Sequence, residues 1–292
     1  MSISAAVLRA RAEAAAGALP PLMLARGPVA ALSAPGGHGL RRPGMGEDFW
    51  QYRVAHEGDT AASVDWRRSG RGDVQFVRDR ERQTARRAAI WIGRGAGMGY
   101  GGQPGETGTE TKIDRARLIA LALALALIRG HERVGLLGGV AGSGGAQAER
   151  LSQEIAGLQP GAGDADSPDP AAIRPGQTVL LIDDFLFENS ELPKFLDQVA
   201  GAGAGGVVLQ LLHPDEESFP FDGAVRFETA GGLRHETRDA GGLRAAYLAR
   251  LDARRADLRA MAGRAGFVFG THSLDHPASD VLIWLHGVLS AR

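Results

Sequence analysis

The sequence has no cysteine and almost no lysine. The absence of cysteine from 292 residues excludes disulfides, thiolate zinc sites and a cysteine nucleophile, and it fits a reducing compartment, so we expect a cytoplasmic protein. Lysine occurs only at Lys112 and Lys194. Neither belongs to a Gly-Lys-Ser/Thr loop, and without such a phosphate-binding loop ATP hydrolysis is not expected.

An excess of one charge and a long apolar run are also missing. The formal net charge is −1, so no field would attract nucleic acid, and we expect no nucleic-acid partner. Residues 1–17 contain charges and do not resemble a secretory signal. The longest apolar run, Leu118–Ile128, has eleven residues and is too short to cross a bilayer, so no membrane span is expected. Its leucines and alanines predict a helix buried on all sides.

From about Ala88 onward, strand-length apolar runs alternate with amphipathic helix-length segments. This order predicts an α/β fold with a doubly wound, mostly parallel open sheet of Rossmann-like type, preceded by a small β-rich N-terminal segment. We expect a division into 1–87 and 88–292, with a β-hairpin insertion at about 224–237. The five predicted strands are 88–92, 133–137, 178–182, 206–212 and 266–270.

Open α/β sheets bind ligands beyond the carboxyl ends of their strands. After the first strand, Gly97, Gly99 and Gly102 have the spacing of a dinucleotide-binding loop. A pyrophosphate site also requires a helix that begins within the loop, whereas Pro104 and the glycines around it delay the helix to about Ile113. A nucleotide-binding enzyme that uses this loop is therefore the alternative function.

Asp183, His213 and His272 also follow predicted strands, and together they form the single metal-like constellation in the sequence. Polar residues at strand ends more often cap helices or face solvent. A metal-dependent hydrolase is accordingly a third interpretation.

The segment 46–78 is rich in arginine, aspartate and tryptophan, a composition that suits stacked and bidentate ion pairs. The residues that carry this pattern are Arg53, Asp59, Asp65, Trp66, Arg67, Arg71 and Arg78. The pattern fits a docking surface for a partner or an internal staple that holds the β-rich segment to the sheet domain. We slightly favour the staple, because such charges are costly to desolvate partly on an unoccupied surface.

The same segment resembles the signature of the domain of unknown function 58 family. The matching residues are Gly46–Phe49, Arg53, Gly58-Asp59, Val64–Arg71 and Val77-Arg78. The sequence departs from the family pattern at Ala55, Ala62 and Gly70. Further along, Glu132–Leu136 and Asp183–Phe185 resemble sheet strands of the von Willebrand factor A-like domain of that family.

The resemblance implies a degenerate metal-ion-dependent adhesion site. In such domains the first strand ends in Asp-x-Ser-x-Ser, which helps to hold magnesium, whereas here the positions are Gly93, Gly95 and Gly97, near Asp183. Glycine supplies no side-chain oxygen to a hard cation, so we expect neither a metal nor another cofactor. Members of the family are commonly encoded beside MoxR-type AAA ATPases. The resemblance therefore implies a non-enzymatic interaction or assembly factor that acts with such an ATPase on an unknown client.

Overall fold

The computed structural model describes residues 4–25, 43–55, 64–70, 72, 74–81, 85–103, 110–163, 166–187, 190–228, 232 and 234–290; for 43–53 and 78–81 only the backbone is described. The predictions for Asp59 and Arg71 lie outside the described residues.

A five-stranded sheet forms the centre of the larger part of the chain. Its strands are β3 (Arg87–Ile92), β4 (Arg133–Leu136), β5 (Thr178–Asp183), β6 (Gly205–Leu212) and β9 (Phe267–Ser273). They lie in the order β4-β3-β5-β6-β9, and every neighbouring pair is parallel. The predicted α/β class with a parallel sheet is confirmed.

Helices cover both faces of this sheet. The helices are α1 (Ala5–Gly17), α3 (Lys112–Arg129), α4 (Gly144–Gly157), α5 (Glu191–Gly201), α6 (Pro214–Ser218), α7 (Arg244–Arg264) and α8 (Ala278–Leu289). One apolar core joins the sheet to α1, α3, α4 and α8, and a second core joins the other face to α5 and α7. Nearly every residue of α3 is buried, as its alternating leucines and alanines predict.

Two smaller β structures lie outside the sheet. The hairpin of β7 (Val225–Glu228) and β8 (Arg234–Thr237) is antiparallel, close to the predicted insertion. Strands β1 (Pro43–Val54) and β2 (Phe76–Glu81) form an antiparallel pair with irregular register. A four-residue helix, α2 (Trp66–Ser69), precedes β2. Within the described residues, no helix combines the length and apolarity needed to span a membrane.

The contacts divide the chain differently from the expected boundary at residue 87. One compact unit consists of Met1–Pro35 with Arg86–Arg292, and the other is Gly36–Ala85. The N-terminal helix joins the sheet unit because Leu8, Ala12 and Ala16 are buried in its core. The Ala25 N–H also donates to the Leu289 carbonyl at 3.0 Å. The β-rich unit is therefore shorter than predicted.

Candidate functional site

The strand order gives the sheet a switch point between β3 and β5, where the chain connections run to opposite sides. From β3 the chain crosses to β4 on one side, whereas β5 leads to β6 on the other. In doubly wound sheets the crevice beyond the carboxyl ends of two such strands is the usual ligand position. The loops that follow β3 and β5 therefore define the candidate site.

Glycines in the loop after β3 allow the side chains of Asp183 and Asp184, at the end of β5, to lie against the backbone of that loop. The Gly93 N–H donates to the Ile182 carbonyl at 2.8 Å. A Cβ atom on Gly93 would lie 2.2 Å from Asp183 Oδ1, and one on Gly97 would lie 2.6 Å from Asp184 Oδ2. The two carboxyl groups thus occupy the space that larger residues would fill.

The centre of the site is the ammonium group of Lys112. Thr111 caps the start of α3, because its side chain accepts from the Asp114 N–H, and this places Lys112 at the first helical position. The Lys112 side chain is fully buried, with Nζ 2.8 Å from Asp184 Oδ2 and 2.5 Å from Glu216 Oε1. The crevice therefore contains an internal cation bound by two carboxylates, one from the loop after β5 and one from α6.

The electrostatics of this cluster are those of a buried, charged network. Burial alone would lower the pKa of Lys112, but the attraction of Asp184 and Glu216 outweighs it and raises that pKa. Burial raises the pKa of Glu216, against the opposing effect of Lys112. Burial and then the neighbouring charge of Asp184 raise the pKa of Asp183 well above its usual range. Among the residues that the structure describes, Asp183 Oδ1 has no hydrogen-bond partner.

A second layer of hydrogen bonds holds Glu216 in position. Glu216 Oε2 accepts from the His213 N–H at 2.8 Å, while His213 Nδ1 accepts from the Asp215 N–H at 3.2 Å, which completes a capping box at the start of α6. The Tyr100 hydroxyl donates to Asp215 Oδ2 at 2.9 Å. The Tyr100 ring also lies edge-on to His213, with centroids 5.1 Å apart. These contacts fix the geometry around Lys112.

The structure does not assemble the metal constellation. His213 caps α6, and His272 Nε2 lies 2.7 Å from Arg115 Nη1. Burial and then Arg115 lower the pKa of His272 to about 4, so the neutral ring accepts from the guanidinium. Across the described part of the chain, no three His, Cys, Asp or Glu residues are grouped to hold a metal ion.

The glycine loop also lacks the helix that a dinucleotide site requires. Gly95 precedes a short 3-10 turn, Ala96–Gly99, and Tyr100 after it is extended. In the described residues that follow, the first helix is α3, which begins at Lys112, close to the predicted start at Ile113. No long helix therefore begins within the loop to direct its N–H groups at a pyrophosphate.

The signature residues lie in the β-rich unit. Asp65 caps α2, since its side chain accepts from the Arg68 N–H at 3.1 Å. Trp66 is 58% exposed, and Arg67 is exposed as well. Arg53 and Arg78 lie on the paired strands, where Arg53 is opposite Val77 and Arg78 opposite Tyr52. The docking surface and the internal staple both stay predictions.

Lys112 is the site residue that sequence reasoning missed. It belongs to no phosphate-binding loop, and the one signal that the sequence offers is the rarity of lysine in an arginine-rich chain. Its two partners lie 72 and 104 residues away in sequence, and no local pattern connects them. Asp183, by contrast, is predicted from its place at the end of a strand, whereas Asp184 is not.

The fold is that of a doubly wound α/β protein. Its own side chains, those of Lys112, Asp184 and Glu216, occupy the crevice where such sheets usually bind a ligand. The family described as protein of unknown function DUF58 matches residues 51–257. Because the match covers more than half of the chain, the protein belongs to this family. No curated protein matches the chain.

Solved structures that match the chain include two from Bacteroides. An aerotolerance-related membrane protein from Bacteroides fragilis is 13% identical with a TM-score of 0.41, covering 70% of this chain and 98% of its own. The conserved hypothetical protein BatB from Bacteroides thetaiotaomicron is 12% identical, also with a TM-score of 0.41, covering 70% of this chain and 97% of its own. An uncharacterized membrane spanning protein from Vibrio fischeri is 11% identical with a TM-score of 0.23, covering 68% of this chain and 96% of its own.

Proposed function

We propose that this protein is a non-enzymatic interaction or assembly factor that works with a MoxR-type AAA ATPase. The observation that carries the proposal is the position of Lys112. Its ammonium group is fully buried between Asp184 and Glu216, at the crevice where a sheet of this type would bind a ligand. This internal ion pair occupies the position at which such a ligand would lie.

The residues of the crevice do not fit a magnesium ion. Gly93, Gly95 and Gly97 supply no side-chain oxygen, and Lys112 Nζ lies 2.8 Å from the Asp184 carboxylate, where a cation would compete for the same oxygen. We propose that the sheet unit is a von Willebrand factor A-like domain with a degenerate adhesion site. Its interactions would then be independent of metal.

The choice of a MoxR-type ATPase as the partner rests on the family resemblance. The exposed indole of Trp66 is a surface that such a partner could bind. Large aromatic side chains beside arginine are typical anchors of protein interfaces. Trp66 is 58% exposed and begins a helix capped by Asp65, so its position is fixed while its ring remains accessible. We propose that Trp66 with Arg67 contacts the ATPase.

A pull-down from the native host tests this function. The tagged full-length protein is captured in the presence of a slowly hydrolysed ATP analogue, and bound proteins are identified by mass spectrometry. We expect a MoxR-type ATPase in the eluate of the wild-type protein and of Val7→Ala, which removes another exposed apolar side chain (53% exposed). We expect Trp66→Ala to lose it.

Two results would contradict the proposal. One is an eluate without any AAA ATPase. The other is phosphate release from ATP by the purified protein that disappears in Asp184→Ala, which would favour the nucleotide-binding enzyme. The geometry of the glycine loop, with no long helix beginning in it, does not favour that alternative.

A further inference from the structure

The two edge strands of the parallel sheet, β4 and β9, differ in whether their outward backbone groups are hydrogen-bonded. At the β4 edge, the Val134 N–H donates to the Gly142 carbonyl at 2.8 Å, and the Gly142 N–H donates back at 3.1 Å. Gln147 Nε2 also donates to the Val134 carbonyl at 2.8 Å. The chain therefore pairs this edge with its own backbone and side chains, a common protection against unwanted strand pairing.

The β9 edge has no such cover. The Leu274 N–H donates to the Leu212 carbonyl of the neighbouring strand at 3.0 Å. Because backbone groups of successive residues in a strand point to opposite sides, Phe269 and Thr271 direct their N–H and C=O groups away from β6. Within the part of the chain that the structure describes, no strand pairs with this side of β9, and no other backbone hydrogen bond reaches these groups.

A cavity of about 500 Å³ lies beside this open edge. Residues 269–273 of β9 line it, together with Arg259 of α7 and Val281 and Trp284 of α8. Gly270 permits close packing here, since a Cβ atom at this position would lie 2.3 Å from Trp284 Cη2. The groove consequently has an apolar wall on the side of α8.

The opposite wall has an available positive charge. The Arg259 guanidinium lies 5.4 Å from the centre of the Phe269 ring, and among the described residues it has no ion pair. Glu217, on the same side, is already paired with Arg255. The other ionisable groups that line the cavity are His272, which accepts from Arg115, and His276 and Asp280 at the α8 end.

We infer that the open β9 edge binds an extended peptide segment as an additional strand, with acidic side chains toward α7 and apolar side chains toward α8. Successive side chains of an added strand alternate between the two faces of a sheet. Those on one face would meet Arg259, and those on the other would meet Trp284 and Val281. The outward backbone groups of Phe269 and Thr271 supply the main-chain pairing typical of strand addition. The inference rests on the proposed interaction role and names the surface that would capture a client segment.

The test uses the purified full-length protein and a fluorescent peptide of alternating valine and glutamate. Fluorescence anisotropy measures its affinity for wild type, for Arg259→Glu, and for the matched control Arg250→Glu, which reverses an exposed charge on α7 outside the groove. A peptide of alternating valine and lysine is the ligand control. Amide hydrogen exchange of the wild-type protein follows Phe269 and Thr271 with and without the peptide.

We expect the acidic peptide to bind, the lysine peptide to bind more weakly, and Arg259→Glu alone to weaken binding by about tenfold or more. The amides of Phe269 and Thr271 should gain protection when the peptide binds. Absence of binding at about 1 mM peptide, or binding unaffected by Arg259→Glu without new protection of these amides, overturns the inference. Protection that rises with protein concentration alone also overturns it, in favour of a second copy of the chain at this edge. Capture of the ATPase is measured separately, so it can succeed when peptide binding fails.

Discussion

Lys112 is one positive charge among three carboxyl groups, of which those of Asp183 and Asp184 are buried and that of Glu216 is partly buried. Desolvation of so many charges is costly, and attraction offsets it only while every partner is present. Burial and then the charge of Asp184 raise the pKa of Asp183, which disfavours a further negative charge in the cluster. The cluster therefore makes the carboxyl edge of the sheet sensitive to single substitutions.

Replacement of Lys112 by methionine should destabilise the protein strongly. The change removes the cation and leaves Asp184 and Glu216 buried without compensation, which costs about 3–5 kcal/mol of unfolding free energy. Urea unfolding followed by circular dichroism measures the difference. Lys194→Met is the matched control, because the other lysine is exposed and pairs with the exposed Glu191, and it should change stability by less than about 1 kcal/mol. Equal effects of the two substitutions would contradict the structural role of Lys112.

Asp183→Asn should change how stability depends on pH. The folded-state pKa of Asp183 is raised, so its contribution is fully present below the unfolded pKa and is lost as the pH rises through the folded pKa. Within that window the wild type loses about 1.4 kcal/mol per pH unit from this group, and the asparagine variant should not. Urea unfolding at several pH values between 4 and 8 compares the two slopes. Identical slopes would show that Asp183 does not retain a proton in the folded protein.

At the scale of elements, the turn after β3 depends on close approach between backbone and side chain. Gly93 follows the strand directly, and a Cβ atom there would lie 2.2 Å from Asp183 Oδ1 and 2.3 Å from Asp183 Cγ. A buried side chain has little room to withdraw. The glycine is therefore required by packing.

We expect Gly93→Ala to lower the unfolding free energy by about 1–3 kcal/mol, because the methyl group overpacks the crevice. Gly263→Ala is the control, since this glycine lies in α7 with no atom within 4 Å of the added Cβ. There the alanine should stabilise the helix by about 0.5–1 kcal/mol. Thermal unfolding distinguishes the opposite signs, and a stabilising Gly93→Ala would show that the crevice has free space.

The stability of the short helix α2 should depend more on its capping residue, Asp65, than on Trp66. Asp65→Ala removes the acceptor of the Arg68 N–H and should cost about 1 kcal/mol. Trp66→Ala should change stability by no more than about 0.5 kcal/mol, because the indole is 58% exposed. Thermal unfolding of both variants provides the comparison. A decrease of about 3 kcal/mol in the unfolding free energy of Trp66→Ala would instead support the internal staple.

At the scale of the whole molecule, the internal cation predicts that stability does not depend on magnesium. A ligand that binds only the folded state raises its stability, and the crevice has Lys112 where such an ion would compete. The midpoint of thermal unfolding should be the same in excess magnesium chloride and in a chelator. A rise with magnesium that Asp183→Asn abolishes would contradict the degenerate site.

The sequence by itself determined the parallel sheet, its helices and the family. Strand and helix periods are local properties, and each of the five predicted strands overlaps an observed one. The buried character of α3 follows from its composition, and the signature in 46–78 lies within one continuous segment. Local patterns of this kind are readable without knowledge of tertiary contacts.

Only the tertiary structure decided which side chains meet. Lys112 contacts Asp184 and Glu216 because strand order brings three distant loops to one edge of the sheet. The exposure of Trp66 and the open edge of β9 likewise depend on what the remainder of the chain covers. The N-terminal helix belongs to the sheet unit because its small apolar face packs on α3. Such contacts depend on the packing of distant segments, and residue spacing along the chain does not encode them.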